Sequence, residues 1–346
     1  MVTLNVSRVS NLCPLNLTYI QTNNGKDNKF GPGIVISASY GPIARTVDDC
    51  ALMMKAVCVP KLFDLDKNVP PLPFSQQIYE DKKPLRIGYF VSDGWFEPCA
   101  TAKRAVAETV NALTKAGHEC VPFEPPSSGW ETYPLFVGIQ AADGNFKCYV
   151  DALEGEDHIY LYNTLKKAAN IPNFLRPIVR MVLDKRRSSL IAESKSGGLS
   201  TRKYWDKLAD LKELRNKWES SFQDTGLDAV IHPGLPIPAM QHGISGEFTS
   251  AFSYTFIANM LGWPAGVVPV TTVRNEEQHY RMEDIPANQR DPIAKIAANV
   301  MEGSEGLPMS VAVMTPSYRD ELCLRVMKEV ESVVGFLEEP QAYKEH

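Results

Sequence analysis

The chain has 346 residues, 44% of them hydrophobic, and a formal net charge of −5. That length holds one large domain or two smaller ones with an ordinary packed core, so a wholly disordered chain is excluded. The acidic balance gives no electrostatic footprint for nucleic acid, which is excluded as a partner. Seven cysteines, at 13, 50, 58, 99, 120, 148 and 323, show no regular spacing and no C-x-x-C, and read as reduced thiols of an intracellular chain.

Residues 1–33 are polar and turn-rich and read as a surface excursion, with a short strand over 34–37. Thr46 with Asp49 forms a capping pair, and Val47, Ala51, Met54 and Cys58 repeat at helical spacing behind it. Arg45, just before the cap, reads as a surface or loop-anchoring arginine. Residues 61–75 are a proline-bearing connector. Strand character over 85–90, a helix over 100–116 stopped by Gly117, and a strand over 118–123 make a β-α-β unit, which implies an α/β fold with a right-handed parallel crossover. A helix is expected over 133–153.

Residues 170–191 read NIPNFLRPIVRMVLDKRRSSLI. On a single helix, Arg176, Arg180, Asp184 and Arg187 share one face, while Phe174, Leu175, Ile178 and Met181 lie on the other. Two readings stand: a helix packed on the core with its basic face in solvent, or an interfacial helix with apolar side chains in lipid and arginines at the headgroups. A long helix over 201–222 presents Tyr204, Leu208, Leu211, Trp218 and Phe222 on one stripe, a core pattern. A strand over 227–232 enters a proline-rich turn.

Residues 248–273 carry no charge, yet Pro264 and Pro269 break the run, so it is not a membrane span. It reads as a buried helix over 253–261, a turn, and a buried strand over 267–272 that belongs inside a sheet. Pro269 donates no N–H and implies a bulge or a strand end. Residues 274–303 read as a surface excursion with helix near 293–301. A strand over 309–314 and a helix over 319–334 close the chain.

Few residues here are arranged for chemistry. His232 and His242 are ten apart and the cysteines are scattered, so no metal site and no cofactor is implied. No G-x-S-x-G occurs. His118 and His232 sit at strand edges and read as ordinary hydrogen-bonded histidines.

The run SYTFIANMLGWPAGVVPVTTV, with GPIAR at 41–45, VPPLPF at 69–74 and DELCLR at 320–325, resembles the amidase-signature hydrolases, in particular the fatty-acid amide hydrolase branch. The resemblance implies a single amidase-signature domain over 1–346, with a mixed, largely parallel sheet covered by helices on both sides and with its N-terminal part missing. It makes 170–191 a membrane-binding cap insertion, with Phe174, Leu175, Ile178, Met181, Arg176 and Arg180 at the lipid surface. It places Leu190, Ile191, Thr255 and Tyr318 along an acyl channel. The family's base lysine, relay serine and nucleophilic serine lie in a Gly/Ser-rich region that would precede the segment matching 3–10. The lookalikes Ser127-Ser128-Gly129 and Ser196-Gly197-Gly198 stand outside that context, so no catalytic residue is assigned.

The implied partners are a lipid amide or fatty acyl ligand and a membrane surface, which would make the chain a peripheral membrane protein inside the cell. A homodimer stays open. Three functions follow: part of a membrane-associated fatty-acid amide hydrolase whose catalytic half lies elsewhere, a non-catalytic lipid-binding module, or an inert truncated product.

Overall fold

The computed structural model describes residues 2–5, 35–36, 41–65, 69–144, 170–193, 195–246 and 248–336. They form one seven-stranded sheet. Its strands are β1 (Val2–Asn5), β2 (Ile43–Ala44), β3 (Arg86–Tyr89), β4 (Glu119–Pro122), β5 (Ala229–Pro233), β6 (Ala265–Thr272) and β7 (Pro308–Met314), in the spatial order β2-β1-β6-β7-β5-β3-β4. β3 runs parallel to both β4 and β5, and the other pairings are antiparallel. The mixed sheet agrees with the expected fold class, and its parallel part is confined to the β-α-β unit and β5.

Helices cover both faces. α1 (Val47–Val57), α2 (Pro60–Leu65), α3 (Gln76–Glu80) and α11 (Asp320–Val334) lie over one side. α5 (Gly129–Gln140), α8 (Thr201–Thr225), α9 (Ser253–Leu261) and α10 (Pro292–Met301) lie over the other. α4 (Ala100–Lys115) crosses from β3 to β4. The period of two along β5 feeds both cores: Ala229 and Ile231 point into one, Val230 into the other.

Local chemistry explains the ends. Thr46 caps α1 by accepting from Asp49 N at 3.1 Å. α8 starts at Ser200, which accepts from Lys203 N, and stops at Gly226 with φ +63°, a left-handed position that suits glycine. Its inner stripe, Leu211, Leu214, Trp218 and Phe222, is buried, and Phe222 meets Trp263 edge to face at 4.6 Å. Such a pair adds about 0.5–1.5 kcal/mol to the burial of its area.

The uncharged stretch divides as its prolines imply. Residues 249–252 form a 3-10 turn, α9 follows, Gly262 (φ +69°) ends it, and β6 runs between β1 and β7 inside the sheet. The register of β6 against β7 shifts between Pro269 and Thr271, the expected bulge.

Five expectations need correction. Val2–Asn5 is a strand in the sheet, not surface excursion, because β6 supplies its partner from across the chain. Val35 and Ile36 form a turn, and Ile36 is buried; residues 34 and 37 lie outside the described residues. α5 starts at Gly129, behind a Ser128–Glu131 capping box, and ends at Gln140; positions 145–153 of the expected helix lie outside the described residues. The 274–303 segment is partly core: Tyr280, Ile285 and α10 pack into the cluster around Phe96.

The single helix expected over 170–191 is two: α6 (Arg176–Val182) and α7 (Lys185–Glu193). Leu183 is extended, and the Asp184 carboxylate accepts from Arg187 N at 2.9 Å, which starts α7 afresh. Among the described residues no helix is long and apolar enough to cross a membrane.

Candidate functional site

In an open α/β sheet, ligands collect where loops leave the carboxyl ends of parallel strands. Here those loops follow β3, β4 and β5. The β3 loop reads VSDGWFEPC. Asp93 shapes it, accepting from Trp95 N at 2.9 Å and Phe96 N at 3.0 Å, an Asx-type turn. Its other oxygen takes the hydroxyl of Ser253, from the first turn of α9. Desolvation raises the Asp93 carboxyl above the usual carboxylate range, against the downward pull of those donors.

Side chains from several other elements fasten the same loop. Tyr254 Oη donates to Phe96 O at 2.7 Å, and Gln289 Nε2 donates to Gly94 O at 2.8 Å. Arg186 of α7, fully buried, donates to Trp95 O at 2.7 Å and pairs with Asp291 at 3.1 Å. Burial lowers Arg186 and raises Asp291, so desolvation outweighs their mutual attraction.

At the end of β5, His232 stacks on Phe90 at 4.9 Å, and its Nδ1 lies 2.9 Å from Pro233 O. That carbonyl can only accept, so Nδ1 carries the hydrogen and Nε2 is the bare nitrogen. Nε2 is buried and has no hydrogen-bond partner among the described residues. Burial pushes the imidazole down to about 4, so it is neutral. Between this histidine's neighbours lies a cavity of about 20 Å³, lined by Phe90, Asp93, Ser127, Ser253, Tyr254 and Trp218 among others. It has room for one water molecule and not for a substrate. The sequence shows only one trace of this cluster, the Asp-Gly turn after a strand; Arg186 and Gln289 give no signal, because their partners are distant in the chain.

The residues expected along an acyl channel fall as follows. Thr255 is exposed on α9 and donates to Phe252 O at 2.8 Å. Tyr318 is half exposed in the turn after β7, at φ +64°, a strained value for tyrosine. That turn touches the far end of α9, where Ser317 Oγ donates to Gly262 O at 3.2 Å, so Thr255 and Tyr318 lie toward opposite ends of one helix. On α7, Leu190 is partly buried against the core and Ile191 is buried.

In the segment expected to form a cap, Phe174, Ile178 and Met181 face solvent, Phe174 at 77% and Met181 at 85% exposure, with Val182 beside them, and Leu175 is about one third exposed. Arg180 is exposed as well. Arg176 is turned the other way. It is buried and donates to Ile171 O at 3.1 Å and Ile191 O at 3.2 Å, tying α6 to the end of α7.

Both catalytic lookalikes have structural work. Ser127 accepts from Trp218 Nε1 at 2.8 Å, and Ser128 begins α5. In the second, Ser196 bonds Asn173 at 3.0 Å through its backbone N–H, and Gly198 (φ +83°) lies against the backbone of Ala142 and Asp143.

Comparison with known proteins agrees with this architecture. A family model described as Amidase matches residues 30–324. Fatty-acid amide hydrolase 1 of Sus scrofa is 33% identical over 303 residues, 87% of this chain and 52% of that protein. Fatty acid amide hydrolase 1 of Caenorhabditis elegans is 30% identical over 307 residues, 87% of this chain and 52% of its own length. In fold, the chain superposes on a solved fatty acid amide hydrolase with a TM-score of 0.68 at 18% identity, over 97% of this chain and 53% of the other. The chain thus spans about half the length of these relatives. With one family model matching most of its length, the chain belongs to the amidase family.

Proposed function

We propose that this chain is the C-terminal part of a membrane-associated fatty-acid amide hydrolase, a single amidase-signature domain incomplete at its N-terminal side. By itself it binds lipid surfaces and does not hydrolyse fatty acyl amides. The observation that carries the membrane reading is the exposed ridge of α6. Among the described residues Phe174, Ile178 and Met181 are well exposed and Leu175 about one third exposed, and the exposed Arg180 lies on the same short helix. A soluble helix turns such residues inward; an interfacial helix turns them to the acyl chains and keeps its basic residues at the headgroups. Arg176 does not take part, since it is used inside the hairpin.

Leu190, Ile191, Thr255 and Tyr318 are proposed to contact the acyl chain and its polar head once the rest of the fold is present. The absence of chemistry in the isolated chain is supported by the structural use of Ser127 and Ser128. The test is sedimentation with vesicles of neutral and of anionic phospholipid. Phe174→Asp/Ile178→Asp/Met181→Asp should abolish binding to both and leave the melting temperature unchanged, because these side chains are exposed. High salt should weaken binding only in part, and only on anionic vesicles. Undiminished binding by the triple variant would refute the reading.

A further inference from the structure

His118 is buried and stands immediately before β4, behind the Gly117 turn that ends α4. Its ring meets the start of the neighbouring strand: Leu85, the residue before β3, donates its backbone N–H to His118 Nδ1 at 3.2 Å. A ring nitrogen that accepts carries no hydrogen, so this neutral ring holds its hydrogen on Nε2. His232 has the opposite tautomer, with Nδ1–H donating to Pro233 O. Protonation would leave the His232 bond in place. At His118 it sets a second N–H against that of Leu85 and removes the buried amide's acceptor.

The amide released in this way belongs to a lightly fastened segment. Residues 81–85 join α3 to β3, and Lys82, Lys83 and Pro84 are exposed. Asp81 accepts from Lys83 N at 3.1 Å, a bond within the segment. Charged side chains tie it to α11: Arg325 donates to Lys83 O and pairs with Asp81 at 3.7 Å, and Lys82 pairs with Glu329 at 3.8 Å. Ion pairs with an exposed partner contribute little. Leu85 is tied to the sheet by its N–H on His118 and by its carbonyl, which accepts from Glu119 N at 2.9 Å. We propose that His118 is an acid-released latch: protonation at Nδ1 frees the Leu85 amide and lets residues 81–85 detach from α11 and from the start of β4.

Charges reach this corner from each neighbouring element. α11 brings Glu329, which favours a charged ring, and Arg325, which opposes it. The connector brings Asp81, Lys82 and Lys83, the first two already paired with α11. On the strands, Arg86 pairs with Glu119, and its backbone N–H donates to Asp228 at 2.9 Å. α4 offers Leu113 O, which accepts from His118 N at 3.1 Å, while its Lys115 is exposed. Burial and Arg325 hold the imidazole below its ordinary value against the pull of Glu329, so the latch opens on the acid side of about pH 6.5. The opened segment leaves a ring that binds a proton the closed form excludes, so the closed form loses ground as pH falls.

The test is amide hydrogen exchange of the full chain between about pH 7.5 and 4.5, corrected for the intrinsic effect of pH and read at Leu85. Wild-type protection there should fall about tenfold or more as His118 titrates. His118→Asn sets an amide oxygen near the place of Nδ1, an acceptor at every pH, and should flatten the fall. His118→Leu, with no acceptor, should exchange fast at both ends of the range. The ring nitrogen chemical shifts of the wild-type chain give a readout that needs no variant: at neutral pH they should show the hydrogen on Nε2. The proposal is overturned if those shifts place it on Nδ1, if wild-type protection of Leu85 is level with pH, or if His118→Asn falls as steeply as wild type.

Discussion

Arg186 is among the most enclosed charges of the described residues, stacked near Trp95 and Phe96 and paired with Asp291. Asp291 also caps α10, accepting from Ile293 N and Ala294 N at 3.0 Å each. Removing the arginine alone strands a buried carboxylate, at a cost of about 3–5 kcal/mol. Arg186→Met should therefore destabilise by about that much in denaturant unfolding. Adding Asp291→Asn, which keeps a capping oxygen without the charge, should recover a large part of the loss. His232 predicts a pH effect. Its folded value, about 4, lies below the ordinary 6.5, so between those limits the unfolded chain binds a proton that the folded chain excludes. Stability should rise with pH across that window, by up to about 3 kcal/mol from this group, and stay level above it. His232→Asn, which retains a donor for Pro233 O, should lose that share of the slope in urea melts run from pH 4 to 7.

At the scale of elements, the α6–α7 hairpin is held by two arginines acting differently. Arg186 pins α7 to the core, and Arg176 fastens α6 to α7 through backbone carbonyls. The apolar ridge of α6 is thus held outward by a polar contact rather than by burial. Arg176→Met should speed amide hydrogen exchange across residues 176–182 by tenfold or more while α8 and the sheet are unaffected. Hydrogen bonds from a charged donor contribute about 1.5–3 kcal/mol each. Equal exchange in wild type and variant would show that α6 is held by other contacts.

At the scale of the molecule, the sheet joins strands from both ends of the sequence. β1 pairs β6 across some 260 positions, with Thr3 opposite Val267, and β7 and α11 close the core from the far end. The loops that could carry chemistry are fastened to one another around a cavity that admits only a water molecule. The lone chain should accordingly fail to turn over a long-chain fatty-acid amide and fail to react with a serine-directed fluorophosphonate. Labelling of any one serine in step with turnover would contradict this.

The sequence by itself determined the elements whose signals are local. The Thr46 cap, the β-α-β unit, the Trp218 stripe of α8, the division of 248–273 at its prolines and the bulge at Pro269 are all specified within a few residues by propensity, periodicity and missing donors. The motif run with GPIAR and DELCLR was enough to place the family. Tertiary structure alone decided what depends on partners far along the chain. Val2–Asn5 becomes a strand only because β6 offers its edge. Arg176 and Arg186, alike in sequence to the exposed Arg180 and the half-buried Arg187, are buried because carbonyls and Asp291 arrive from other segments. Helical periodicity gave 170–191 a single wheel, yet the Asp184 cap divided it and reversed the face that its first arginine takes.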